Sequence, residues 1–353
     1  MPKSTKPKLV ASTSLDEVRQ QVETGLRNYC AEQTRQAAEM HPSYQHLWQV
    51  ITSQVMAGGK RLRPYALVLS AEAYGARCTP QLIEVAMAWE LLHVGLLMHD
   101  DIIDRDLLRH GQPNAIAAYL ENYLPISDLN DRLHYAEAAA MLAGDLLLTA
   151  APSLLASSVN SQQLQQIMHD ATWQVIGGEL LDLENGLLEP INPQLIAQAK
   201  TASYSIVGPL KSGALSAGAP ASELSMLSDL GLTLGTGFQL ADDLLVFDDI
   251  SSTGKSADSD LIAGKRTSVI VEALSQLPTT DRLRLAALIG SPSVDNVPEI
   301  RKLLGETDAQ ATLLAQLSGY ETTALTLINK LAIPDSYRRQ FAAFTKTLLY
   351  RRH

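Results

Sequence analysis

Apolar side chains recur every three or four positions along almost the whole chain, the spacing of helices that turn one face to a core. No convincing set of alternating strands is bounded by hairpin turn residues, so the pattern predicts an all-α protein, a single large helical bundle around a central cavity. Ser14 is placed to cap a helix from about Leu15 to Met40. A second helix runs from near Tyr44 towards Ala57, where Gly58 and Gly59 interrupt it. Thr79-Pro80 supplies a cap followed by proline at the first helical position, and opens a long apolar helix. Between Leu82 and Met98 its clear polar interruptions are Glu84, Glu90 and His93. Gly111 reads as its stop signal. Further helices are expected over Tyr135 to Leu155, after Asn160 (with Gln163 as a capping arrangement), and after Asn192-Pro193. The Gly- and Ala-rich run at 208–220 predicts close helix packing and then a loop. Leu224 to Phe247 forms a second nearly all-apolar helix, and the remainder reads as helices with a Pro- and Ser-containing linker around 291–298. Residues 1–14 are expected to be a flexible tail and 15–353 a single domain.

Both long apolar helices end in acids. The first runs into HDDIIDRD, with Asp100, Asp101, Asp104 and Asp106; the second into ADDLLVFDD, with Asp242, Asp243, Asp248 and Asp249. Asp100 and Asp104 are four apart and share one helical face. The C-terminal end of a helix disfavours negative charge. Two carboxylates roughly 6 Å apart repel by about 3 kcal/mol at an effective dielectric of about 20. Arg105 and Arg109 help locally, and a hard divalent ion prefers clustered carboxylate oxygens. A lone acidic helix end is more often a solvated surface; two of the same design point to a shared site.

The chain has 353 residues and a formal net charge of −10, with no basic run, which argues against general nucleic-acid binding. Its two cysteines, Cys30 and Cys78, lack metal-type spacing and read as thiols in a reducing compartment. The basic, polar first residues have no apolar core of a signal peptide, and Glu90 and His93 break the best candidate membrane span. A cytoplasmic protein without stable membrane insertion is therefore expected.

Cations lie apart from the acids. In GGKRLRP, residues 58–64, a flexible turn precedes Lys60, Arg61 and Arg63, a grouping suited to phosphate. Lys200-Thr201 sits within a helix, and TGK at 253–255 and GKR at 264–266 add Lys255 and Lys265. The helix with Gly178, Glu179 and Asp182 carries another acid pair, whereas the lone Asp145 fits a satisfied core group. Divalent ions held by a few carboxylates, with lysines and arginines beside them, suit a diphosphate. The apolar helix behind Asp100 leaves room for a hydrocarbon. Ionising such a substrate needs stabilised leaving-group charge and a dry pocket, and no Ser-His-Asp or Cys-His nucleophile.

The ordered set GGKRLRP, DDIID followed by LLRHGQP, GD at 144–145, GELLD at 178–182, KT, FQLADD and the TGK and GK pairs resembles the trans-isoprenyl diphosphate synthases (polyprenyl synthetases) over roughly Leu47 to Thr267. The resemblance implies the all-α prenyl synthase fold, a homodimer, and head-to-tail condensation of isopentenyl diphosphate with an allylic diphosphate. It further implies Mg²⁺, three ions per site, on Asp100, Asp101, Asp104, Asp242 and Asp243. Arg109, Lys200, Lys255 and Lys265 would contact diphosphate; Lys60, Arg63, His93 and His110 would hold isopentenyl diphosphate. Thr201 and Gln239 would steady the carbocation, and the departing diphosphate would be the final base.

Three positions depart from the family pattern. His110 replaces a second arginine, Val246 the last aspartate of the second acidic motif, and Glu179 a common glutamine; Asp248 or Asp249 are possible substitutes for that aspartate. One turn behind Asp100, Gly95 and Leu96 stand where short-product members carry aromatics, so a product beyond fifteen carbons is expected, geranylgeranyl diphosphate or longer. Leu92 lies on the same helix, and Trp89 is either the floor of the tunnel or plain core. Two rivals remain at this point: a class I terpene cyclase, which has no use for GGKRLRP, and a non-catalytic partner subunit of a heteromeric synthase.

Overall fold

The computed structural model describes residues 13–109, 111–122, 126–187, 190–248, 258–291 and 293–350. The fold is all-α, with 81% of it helical. Helix α1 (Leu15–Met40) starts at a full capping box, Ser14 with Glu17, and buries Val18, Val22, Leu26 and Cys30 at four-residue spacing. Helix α2 (Pro42–Met56) opens slightly earlier than its apolar pattern indicated, because Pro42 takes the first position and His41 accepts the Ser43 N–H. Of the tail expected over residues 1–14, Thr13 bonds Glu72 through its N–H and hydroxyl, and residues 1–12 lie outside the described residues.

After α3 (Leu62–Ala73), the central helix α4 (Pro80–Ile103) starts at the expected Thr79 cap. It is long and apolar enough to cross a membrane by length and composition, yet 72% of that window is buried inside the protein, as in a core helix. α4 ends at Ile103 and not at Gly111. Arg105 takes the left-handed conformation, with φ of 57°, so the break comes where no glycine marks it. Gly111 instead turns a short antiparallel ladder of β1 (Leu108–Arg109) and β2 (Gln112–Pro113), in register Leu108↔Pro113 and Arg109↔Gln112. Strands of two residues show no alternation, which is why the sequence pattern missed them. The turn carries Arg109 back over the end of α4. Asn114 holds it there, donating to the Asp106 carbonyl and accepting from Ala117 in α5 (Ala115–Asn122).

Helices α6 (Leu129–Leu154) and α7 (Ser161–Leu187) follow. Asn160 ties the start of α7 to another part of the bundle, donating to the carbonyl of Leu215. The short α8 (Pro193–Ile196) leads into a π-helix (Ala197–Val207), then α9 (Gly208–Ser216) and α10 (Ala221–Asp243), which tightens to a 3₁₀ turn at Leu244–Phe247. Helices α11 (Ser259–Ile262), α12 (Ser268–Gln276), α13 (Thr279–Ile289), α14 (Val297–Gly305), α15 (Ala309–Lys330) and α16 (Asp335–Leu349) complete the chain.

The π-helix is wider than an α-helix and needs thin neighbours. A Cβ on Gly178 of α7 would lie 2.3 Å from the Lys200 nitrogen, and one on Gly235 of α10 would lie 2.4 Å from the Ala202 Cα. Backbone therefore meets backbone on both sides. Lys200 and Thr201 are placed by that clasp between the acid pair of α7 and the acid-tipped end of α10.

Candidate active site

Asp100 and Asp101 face Arg109 from the β1–β2 turn. The Arg109 Nε donates to Asp101 at 2.8 Å, and its Nη2 reaches Asp100 at 2.8 Å and Asp101 as well. Burial opposes the charge on Asp100 most strongly, but Lys200, Arg109 and Lys265 together hold its carboxyl below the usual range. Asp101 lacks the lysines, and burial pushes it up to about 6 although Arg109 resists the rise. The repulsion expected between these carboxylates thus falls on Asp101, not on Asp100.

Lys200 joins three elements. Its Nζ lies 3.3 Å from Asp100, 2.9 Å from Glu179 and 2.7 Å from Asp182. Burial alone would favour its neutral form; the three carboxylates outweigh that and hold it charged. Glu179, where the family resemblance favours glutamine, is raised by burial despite Lys200. The next residue, Thr201, donates to Gln239 at 2.7 Å, and Gln239 donates to Asp243 at 3.0 Å. Asp104 accepts from Lys265 at 2.7 Å. The two acid-tipped helices are therefore joined through Lys200-Thr201, and Lys265 on Asp104 lies three residues before Ser268, whose N–H holds Asp243.

The pair ending α10 is split. Asp242 is exposed, whereas the Asp243 carboxylate is buried and also accepts the Ser268 N–H that opens α12, with its pKa pushed by burial to about 6. Val246 is buried, and its carbonyl accepts from Arg301, so the position of the family's last aspartate is part of the core. Asp248 is exposed; Asp249, His110 and Lys255 lie outside the described residues.

A second cationic corner lies where α3 and α4 meet the π-helix. Arg63 donates to Ser205 at 2.7 Å and to Tyr204 at 3.1 Å, and its guanidinium lies 4.8 Å from the Tyr204 ring centre. The Tyr204 hydroxyl lies 3.3 Å from Nδ1 of His93. Arg63 and His93 are thus brought together by Tyr204 and Ser205, which sequence reasoning missed. Their signal was their place one turn beyond Lys200-Thr201. Lys60 is exposed at the rim. Arg61, the middle cation of GGKRLRP, is buried away from that rim.

The residues considered for product length divide as well. Gly95 does not border open space. A Cβ there would lie 3.1 Å from both the Gly144 carbonyl and the Leu147 Cβ, so its smallness serves the α4–α6 crossing. Leu96, one turn behind Asp100, is half-buried, and Leu92 is buried. Trp89 is fully buried, its indole N–H donating to Ser212 at 3.1 Å and its ring lying where a Cβ on Gly208 would fall. Gly208 also lines a surface cleft of about 460 Å³ with Ser203, Val207 and Lys211.

Among the described residues no three acid, His or Cys side chains form a preformed metal cage. The acidic donors at the α4 and α10 ends are the carboxylates of Asp100, Asp101, Asp104, Asp242 and Asp243. A hard ion bound by one or two carboxylates, with waters and substrate phosphates completing its shell, fits such a set.

An all-α bundle with paired acid-tipped helices and two cationic corners defines an isoprenoid-synthase class of architecture. The polyprenyl synthetase family model matches residues 44–306, and the chain belongs to that family. It is 32% identical over 245 residues to the short chain isoprenyl diphosphate synthase of Methanothermobacter thermautotrophicus, covering 67% of this chain and 70% of that protein. To the geranylgeranyl diphosphate synthase of Methanosarcina mazei it is 31% identical, over 66% and 68% of the two chains. A crystal structure of geranylgeranyl pyrophosphate synthase from Corynebacterium glutamicum, complexed with isoprenyl diphosphate and magnesium, superposes with a TM-score of 0.89 at 27% identity, covering 96% of this chain and 100% of that one.

The uneven charge balance has a measurable consequence. With a folded pKa of about 6 against an unfolded value near 3.9, Asp101 binds extra protons only in the folded state. Its contribution to stability is thus full at low pH and lost as pH rises from about 4 through about 6. Asp100, shifted the other way, stabilises at neutral pH. Thermal melts in chelator at pH 7.5 are expected to show Asp101→Asn more stable than the parent by about 1–2 kcal/mol and Asp100→Asn less stable, with the Asp101→Asn gain gone at pH 4. A destabilised Asp101→Asn at pH 7.5 contradicts the assignment.

Proposed function

We infer that the chain is a trans-prenyltransferase that condenses isopentenyl diphosphate with an allylic diphosphate, head to tail, to give a trans-polyprenyl diphosphate. The observation that carries this reading is the junction at Lys200-Thr201. It joins the acid ends of α4 and α10 directly above the apolar length of α4, with a separate Arg63 corner beside it.

Asp100, Asp101 and Asp104 on α4 and Asp242 and Asp243 on α10 would hold Mg²⁺, three ions in all; Asp243 accepts one hydrogen bond on each oxygen, from Gln239 and Ser268, and keeps a lone pair on each for a metal. When bound, the metal supplies positive charge to the diphosphate as its bond to carbon breaks. Arg109, Lys200 and Lys265, now paired with carboxylates, are then free to turn to phosphate oxygens. Thr201 donates its proton to Gln239 and so presents oxygen lone pairs to the carbocation. Arg63, His93 and Lys60 hold the isopentenyl diphosphate, and the departing diphosphate takes the last proton. The apolar walls of α4 exclude water from the cation.

For product length, the face of α4 below Asp100 bounds the hydrocarbon through Leu96 and Leu92, with Trp89 as its floor. A product of geranylgeranyl length or longer follows from the absence of an aromatic at Leu96. Self-association as a homodimer is supported by exposed apolar side chains on two helices, Met141 and Leu142 on α6 and Trp173, Ile176 and Leu180 on α7.

Purified protein incubated with Mg²⁺, isopentenyl diphosphate and each allylic primer should yield a polyprenyl diphosphate. Asp100→Ala is expected to lower turnover by a factor on the order of a thousand or more while the fold persists; near-parental turnover would refute the metal assignment. Leu96→Phe should shorten the product, and an unchanged product profile would place the tunnel elsewhere. Sedimentation should give twice the chain mass, and a monomeric mass would remove the dimer.

A further inference from the structure

The three cations of GGKRLRP do not share a role. Gly58 and Gly59 carry φ of 101° and 121°, and Arg61 itself is left-handed at 48°. A non-glycine residue rarely holds that conformation unless its surroundings impose it. Here they do. The Arg61 side chain is 2% exposed and pinned from three elements: Nη1 donates to Glu90 of α4 at 2.5 Å, Nη2 to the Val55 carbonyl of α2 at 2.7 Å, and Nε lies 3.7 Å from Glu23 of α1. Glu90 is itself only 6% exposed in the middle of α4. The residues on either side go the other way. Lys60 is exposed, and the half-buried Arg63 turns to Ser205 and Tyr204 of the π-helix.

We propose that Arg61 and Glu90 are a positioning pair for the isopentenyl diphosphate site. Arg61 touches no substrate. Drawn inward by Glu90, it forces the turn that sets the spacing of Lys60 and Arg63, and so ties the aim of both cations to the central helix. Glu90 lies ten positions before Asp100 on α4, and among the described residues the pair's bonds run to Val55 and towards Glu23 and not to the acids at the α4 end. Its loss therefore weakens the binding of one substrate and not the other. This rests on the reading of Lys60 and Arg63 as isopentenyl diphosphate ligands.

Removing one partner leaves a buried charge and endangers the fold, but replacing a buried pair by apolar residues of similar volume is commonly tolerated. The test is the double variant Arg61→Met/Glu90→Met with the single Arg61→Lys, alongside Lys60→Ala and Arg63→Ala. Each is assayed for melting temperature and for KM of both substrates. The double variant is expected to melt near the parent yet show a KM for isopentenyl diphosphate raised about tenfold or more, with the allylic KM within about twofold. Arg61→Lys, which keeps the charge but not the two-pronged grip, should raise the same KM by a smaller factor without a large loss of melting temperature. A parental KM for isopentenyl diphosphate in a folded double variant, or in Arg61→Lys, overturns the proposal and leaves the pair a stabilising contact only. If Lys60→Ala and Arg63→Ala leave that KM unchanged, the site assignment itself falls, and the positioning role with it.

Discussion

Carboxylates gathered at the C-terminal ends of two buried helices are an electrostatic cost that this fold must offset. Negative charge is disfavoured there by the helix dipole, by burial and by its own kind. The offset comes from three cations, each supplied by a different element: Arg109 from the β1–β2 turn, Lys200 from the π-helix and Lys265 from the approach to α12. The early break of α4 at Arg105 lets Arg109 fold back, and the glycines of α7 and α10 let the π-helix bring Lys200 between them.

The same balance is what a metal–diphosphate substrate would disturb. Mg²⁺ would compete with the three cations for carboxylate oxygens, and phosphate would compete with the carboxylates for the cations. Exchanging both sets of partners at once keeps every charge paired. Exchanging either set alone strands the other in a buried site. The two ligands are thus expected to bind as a unit. On α4, Asp101 is readier to change partner than Asp100, because burial raises its pKa while Lys200, Arg109 and Lys265 lower that of Asp100.

The caps and the apolar period of α1 and α4 were legible because Ser14 and Thr79-Pro80 act within one turn of themselves. Chemistry with a local spacing was legible too: Asp100 with Asp104, and Lys200 with Thr201. What stayed hidden depends on partners remote in the chain. Arg61 reads like Lys60 and Arg63 until Glu90 and Glu23 are seen beneath it. Tyr204 and Ser205 read as an ordinary helix face until Arg63 reaches them. Gly95 reads as open space behind Asp100, whereas α6 fills that space. Gly111 carried a stop signal that belongs to a turn, because Arg105 accepts the left-handed conformation that a glycine more often takes.

The central claim is that metal and diphosphate share one charge balance at the junction of α4, the π-helix and α10. Calorimetric titration of a non-reactive allylic thiolodiphosphate into the protein, once with excess Mg²⁺ and once with chelator, measures that coupling directly. The account predicts binding at least about tenfold tighter with Mg²⁺, a gain that Asp100→Asn largely abolishes. Equal affinity in the two conditions would contradict it.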